Sequence, residues 1–225
     1  MSKISSPHDK LFKEFWSNRE TAISFFANYL PPDIGPLLRL ETLEICKDSF
    51  VDPDLQAFYS DLLYKAQLGD LNGYLYLLFE HKSHPEKQVI LQLLSYLHSI
   101  WTLHQEQEKG PLPVILPLVL YHGPEKWPES ADLLSLMADP DPRFHRYIPN
   151  FQFVLYDLSK FSDEDIKGEI LCRTGLLLLK HVFTPGYERK IPDILPLLKT
   201  LLEKQTGLQY KEVTSAQIQV PKRRF

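Results

Sequence analysis

Tyr59-Ser-Asp-Leu-Leu-Tyr-Lys-Ala-Gln-Leu68, Gly69-Asp-Leu-Asn-Gly73 and Tyr74-Leu-Tyr-Leu-Leu-Phe-Glu-His-Lys-Ser83 run on as one stretch, and its reading decides the fold. The outer segments are rich in leucine and aromatic residues, and the middle one is turn chemistry, so the stretch reads as a β-hairpin. Pairing Leu63 with Leu78, Lys65 with Tyr76 and Gln67 with Tyr74 leaves Gly69 to Asn72 as the loop, a plausible hairpin length. The same register sets Asp61 opposite Glu80. Directly opposed residues share a face of the sheet, as do residues two apart on one strand. Asp61, Glu80 and Lys82 therefore fall together on one face at the open end. Leu62, Tyr64, Ala66, Leu75, Leu77 and Phe79 take the other face, which can be buried.

Two opposed carboxylates repel when both are ionised. A divalent cation between them removes the repulsion, and Mg²⁺ is typically held by one or two carboxylates together with water and phosphate oxygens. Lys82 beside such a site would orient or activate an attacking water, or stabilise charge developing on a phosphate. An exposed strand end with an ordinary Glu–Lys neighbour pair satisfies the same spacing without any chemistry.

Upstream of the hairpin, residues 8–30 predict helix, with Asp9 able to cap it and Asn18 able to split it in two. Pro31-Pro32 ends it. A short helical piece over 34–38 then leads into an alternating strand over Leu40–Cys46. Downstream, Pro85 precedes a long amphipathic helix over Glu86–Glu108, stopped by Gly110-Pro111. Val114–Tyr121 is a continuous apolar run, the mark of a strand buried on both faces. Residues 123–142 predict a loop-rich insertion with a short helix near Leu133–Met137, and Phe151–Asp157 another strand. Asp163–Phe183 predicts a helix capped by Ser162, with Glu164 or Asp165 in its first turn. Ile194–Glu203 predicts one more helix. The order of elements implies an α/β fold, a mixed central sheet with helices on its faces.

The 225 residues suffice for one sizeable core and are few for two. A composition that is 44% hydrophobic and 24% charged is ordinary for a globular protein. The formal charge of -4 excludes a polycation, so any contact with nucleic acid has to come from a local surface. Cys46 and Cys172 are the two cysteines and make neither a CxxC pair nor a disulfide framework, which suits a reducing cytoplasm. The first residues lack the apolar core of a signal peptide, and the apolar runs are too short to span a bilayer.

Gln92 and Tyr96 lie four apart on the long helix and share a face. That face can lie beside the open end of the hairpin and hydrogen-bond a phosphate or a metal-bound water. A semi-buried polar patch on an amphipathic helix is the bland alternative. Of the eight histidines, only His81 and His84 have the spacing of half a zinc site, and no second pair completes it. HExxH, GxSxG, GxxxxGK[ST] and GxGxxG are all absent, so zinc protease, serine hydrolase, P-loop and dinucleotide chemistry lack their anchors. Cys172, on an apolar helix, reads as core. Lys222-Arg-Arg224 is either a solvated terminus or a contact to nucleic acid.

Asp61, then Glu80-x-Lys82, then Gln92-x-x-x-Tyr96 resemble the PD-(D/E)xK nuclease signature, with Ser60 standing where the signature has proline. More specifically, the chain resembles the recombination-promoting nuclease (Rpn) family, also called YhgA-like transposases. The resemblance runs through His8-Asp-Lys-Leu-Phe-Lys13, Ser60-Asp-Leu-Leu-Tyr64, Glu80-His-Lys-Ser83, Leu94-Ser-Tyr96 with Ile100-Trp101, and Leu116-Pro-Leu-Val-Leu-Tyr-His-Gly123, over roughly residues 8 to 185.

The resemblance implies a restriction-endonuclease-like core over residues 1–185, with a C-terminal helical extension and polar tail over 186–225. It implies cleavage of DNA with Mg²⁺ or Mn²⁺, an origin in bacterial mobile elements and a role in recombination or transposition. Asp61, Glu80 and Lys82 map onto the expected acid, acid and lysine, with Asp61 and Glu80 as metal ligands. Asp9 sits in the N-terminal motif, either as a further ligand or as a helix cap. Gln92 and Tyr96 match the helix motif of some branches. DNA is the expected partner, with no membrane; homodimerisation is left open. A cytoplasmic enzyme is the first expectation. A nuclease-like module that binds DNA or protein without cutting is the second, because fold alone does not fix activity.

Overall fold

The computed structural model describes residues 7–46, 62–69, 74–127 and 132–187, without the side chains of 7–11, 74–78, 80 and 81. Its centre is a five-stranded mixed sheet in the order β1-β2-β3-β4-β5. The strands are β1 (Leu38–Ile45), β2 (Leu62–Leu68), β3 (Tyr74–Lys82), β4 (Val114–Tyr121) and β5 (Val154–Asp157). β1, β2 and β3 form an antiparallel meander, and β4 and β5 run parallel to β3. Four α-helices accompany them among the described residues: α1 (Pro7–Trp16), α2 (Arg19–Tyr29), α3 (Val89–Gln107) and α4 (Ile170–His181).

The hairpin register agrees with the sequence. Leu63 pairs with Leu78, Lys65 with Tyr76 and Gln67 with Tyr74. Asn18 does split the first helical region: its side chain accepts a hydrogen bond from the Thr21 amide at 3.0 Å and caps α2. Asp9 is the third residue of α1 rather than its cap, because the helix already begins at Pro7, whose missing N–H costs nothing in a first turn.

The two faces of the sheet pack differently. On one, Leu62, Tyr64, Ala66, Phe79, Leu118 and Leu120 meet α1, α2 and α4 in an aromatic core with Phe12, Phe15, Trp16, Phe25 and Phe26. Phe79 is its hub, with ring centroids 5.1 Å from Phe12, 4.7 Å from Phe25, 5.7 Å from Phe26 and 6.1 Å from Trp16. On the other face, Leu63, Val119 and Tyr121 meet Val89, Leu93, Tyr96 and Ile100 of α3. Burial of the large apolar side chains supplies most of the stability on both faces, at roughly 1.5–3 kcal/mol for each.

Three boundaries differ from the sequence expectation. The last helix starts at Ile170 instead of Asp163. Ser162 and Asp165 do form the anticipated reciprocal cap, with Ser162 Oγ donating to Asp165 Oδ2 at 2.7 Å and accepting from the Asp165 amide at 3.2 Å. That cap closes a single turn, because Gly168 takes a φ of 117° and interrupts the helical path. Left-handed backbone of this kind favours glycine. The strand expected over Phe151–Asp157 is shortened to Val154–Asp157, since Phe151 and Phe153 pack on the α3 side instead of pairing. β1 begins two residues early, at Leu38, and its pairing with β2 shifts between Arg39 and Glu44. Thr42 fills that irregularity by accepting from the Gln67 amide at 2.9 Å. The helix expected over Ile194–Glu203 and the tail lie outside the described residues. No helix among those described is long and apolar enough to cross a membrane.

Candidate active site

Lys82 ends β3, where the chain turns through Pro85 into α3. It pairs with Tyr121 of β4, and Tyr121 in turn with Asp157 of β5. The His122 amide donates to the Lys82 carbonyl at 3.0 Å, which fixes the strand end. Gly123 makes this close approach possible: a Cβ there would lie 2.2 Å from the Ser83 carbonyl oxygen and 2.6 Å from the Tyr121 hydroxyl.

The Lys82 side chain is 12% exposed. Its ammonium donates to Gln92 Oε1 at 2.6 Å and to Glu86 Oε2 at 2.8 Å. Gln92 Nε2 donates onward to the Tyr96 hydroxyl. The structure thus brings together Lys82, Gln92 and Tyr96, as the helical spacing and the strand alternation predict. It adds Glu86, which sequence reasoning took only as the start of a helix. A signal for it was present: a carboxylate four residues after the lysine, across a proline turn that folds the chain back.

Both acceptors favour the charged form of Lys82, since a carboxylate and an amide oxygen each need an N–H. The neighbouring phenol of Tyr121 donates to the Glu125 carbonyl. Burial, and then the Asp157 carboxylate, raise its pKa above the ordinary tyrosine value. Asp157 is itself buried, with Oδ1 accepting from the Ser159 amide and hydroxyl.

The remaining candidates stand differently. Glu80 occupies β3 in register with Val119, but its side chain lies outside the described part of the structure, as does that of Asp9. Asp61 lies wholly outside the described residues. Among the described residues, no three His, Cys, Asp or Glu side chains cluster as a metal site. His84 is exposed, with Nδ1 3.2 Å from Ser83 Oγ. Cys172 is fully buried, and burial pushes its thiol up to about 12, which keeps it protonated and inert as a nucleophile.

Comparison with known sequences matches residues 6–209 to the family described as "Putative transposase, YhgA-like". The chain belongs to that family. Among its relatives are three proteins of Escherichia coli. The inactive recombination-promoting nuclease-like protein RpnE of strain K12 is 34% identical over 201 residues, 89% of this chain and 66% of the relative. The recombination-promoting nuclease RpnD of strain O157:H7 is 32% identical over 198 residues, 87% of this chain and 75% of the relative. The recombination-promoting nuclease RpnA of strain K12 is 34% identical over 179 residues, 79% of this chain and 61% of the relative. The chain thus spans between 61% and 75% of the length of these relatives. No solved structure matches the chain.

Proposed function

We propose that the chain is a metal-dependent DNA endonuclease with a restriction-endonuclease-like core, acting in recombination or transposition. The observation that carries this reading is the position of Lys82: almost buried, at the end of β3, and held by Gln92 of α3 on the face opposite the aromatic core. The hairpin register, observed as far as Leu62 with Phe79, needs one further step to set Asp61 opposite Glu80. A meander followed by a helix and two parallel strands supports the restriction-endonuclease-like architecture. The names of RpnD and RpnA as recombination-promoting nucleases support the activity.

In this reading Asp61 and Glu80 hold Mg²⁺ or Mn²⁺, which supplies charge neutralisation at the phosphate and a more acidic bound water. Lys82 faces the phosphate, and Gln92 and Tyr96 keep it there. Hydrolysis adds a water oxygen to phosphorus, breaks one P–O ester bond and leaves the proton on the departing oxygen. A second reading is a module that binds DNA or protein without cutting. The name of RpnE, an inactive nuclease-like protein, favours it.

Glu80→Ala and Lys82→Ala separate ligand from helper. Calorimetric titration with Mn²⁺ and a plasmid-nicking assay are run on each. Glu80→Ala is expected to lose cation binding and cleavage together. Lys82→Ala is expected to bind Mn²⁺ as well as the unaltered protein or slightly better, because a nearby positive charge is gone. Its cleavage is expected to fall by roughly 10²-fold, the scale for removing a positioned acid–base or electrostatic group. Full cleavage by Lys82→Ala removes that lysine from the chemistry, and a protein that never cuts favours the second reading.

A further inference from the structure

Glu86 has no assigned part in the reading above, yet it makes the closest charged contact to Lys82 among the described residues, at 2.8 Å. Its carboxylate is 42% exposed, while the ammonium it meets is 12% exposed. An acidic residue before a helix commonly serves the helix N-terminus. Here Glu86 Oε2 is committed to the lysine at the end of the preceding strand, and α3 starts three residues later, at Val89. Pro85 shapes the turn that returns the carboxylate over Lys82.

The contact bears on what a lysine at this position can do. As a proton acceptor for water, Lys82 needs a lone pair, and therefore a neutral amine. As an electrostatic partner for a phosphate oxygen it needs its charge. A carboxylate at 2.8 Å and an amide oxygen at 2.6 Å both stabilise the ammonium and oppose its deprotonation. From the other elements, Gln92 and Tyr96 of α3, Tyr121 of β4 and, beyond it, Asp157 of β5 face this end of the sheet. None of these brings a second cation that would drive the proton off.

We propose that Glu86 is a positioning residue that holds Lys82 as a fixed ammonium ion, so that Lys82 serves as a cation for a phosphodiester oxygen and not as the proton acceptor for water. The proposal rests on the nuclease reading for its substrate, but the clamp itself is a property of the free protein.

Glu86→Gln tests it, since the substitution keeps shape and an acceptor oxygen while removing the charge. Two readouts are taken on the full chain. In the first, the Lys82 side-chain nitrogen, labelled with ¹⁵N, is titrated by NMR in both proteins. The variant is expected to lose its proton at a pH lower by about one unit, the scale of one lost charge partner. An unshifted midpoint overturns the clamp. In the second, plasmid nicking with Mn²⁺ is followed from about pH 6 to 9. The cation role predicts about a 10-fold loss in the variant that deepens as pH rises, because the ammonium is then lost within the assay range. A proton-acceptor role predicts the opposite, a gain near neutral pH, and that result overturns the proposal. Lys82→Arg is the conservative companion: it stays charged and cannot accept a proton, so it is expected to keep more cleavage than Lys82→Ala. Equal loss in the two lysine variants also counts against the cation role. Should the unaltered protein cut no DNA, the NMR titration still decides the clamp, and only the nuclease reading fails.

Discussion

The two faces of the sheet are built for different work. One lies beneath α1, α2 and α4 and is filled with aromatic rings around Phe79. The other lies beneath α3 alone, and at the end of β3 its packing gives way to the chain Glu86–Lys82–Gln92–Tyr96. Adjacent residues of one strand serve both: Phe79 points into the aromatic core, while Lys82 meets α3. A rigid dry face lets the opposite face hold a lysine almost out of water, where its charge is worth more than on an open surface. Stability and chemistry should therefore separate by face when single residues are changed.

The largest loss of stability is expected from Phe79→Ala, about 3–5 kcal/mol by chemical denaturation, since it empties the hub that four rings contact. A loss below about 1 kcal/mol would mean the aromatic face is not the main support.

Asp163, which ties the turn after β5 to α4, comes next. Its carboxylate accepts from Lys180 at 2.5 Å and from His181 at 2.9 Å. Burial alone would raise its pKa, but the hydrogen bonds from Lys180 and His181 outweigh this and lower it to about 2. The folded value lies below the unfolded one, so the unfolded chain binds the proton more readily as pH falls. The resulting stabilisation is complete above about pH 5 and fades as the pH falls through 4 toward 2. Asp163→Ala is expected to cost about 1–2 kcal/mol at neutral pH and to flatten this acid limb, which denaturation at a series of pH values would read.

A smaller cost, about 1 kcal/mol, is expected for Tyr64→Phe. The buried Tyr64 hydroxyl donates to the Trp16 carbonyl at the end of α1, and the substitution leaves that oxygen without the bond. The smallest stability effect belongs to the other face. Lys82→Ala should change stability by less than about 1 kcal/mol, because its partner Glu86 is half-exposed and can turn to water. A large destabilisation by Lys82→Ala would erase the distinction between the faces.

Much of this was legible in the sequence for physical reasons. Alternation along 62–68 and 74–82 fixed the hairpin register, because a slip of one residue would turn Phe79 out of the core. The i, i+4 spacing put Gln92 and Tyr96 on one face, and the strand direction set Lys82 beside them. The start of α4 was not legible: Ser162 and Asp165 carry a true capping signal, and only the backbone at Gly168 shows that it closes one turn. Glu86 escaped notice because its contact depends on how tightly Pro85 folds the chain back, a tertiary matter that helix-start rules do not address.

The proposal that the polar face cuts DNA is tested most directly by plasmid nicking with purified protein in Mg²⁺, Mn²⁺, Ca²⁺ or EDTA, beside Asp61→Ala. The account predicts conversion of supercoiled to nicked or linear plasmid with Mg²⁺ or Mn²⁺, none with EDTA, and a fall of roughly 10²-fold or more in Asp61→Ala. No cleavage by the unaltered protein with any of the metals, or cleavage undiminished in Asp61→Ala, would contradict it.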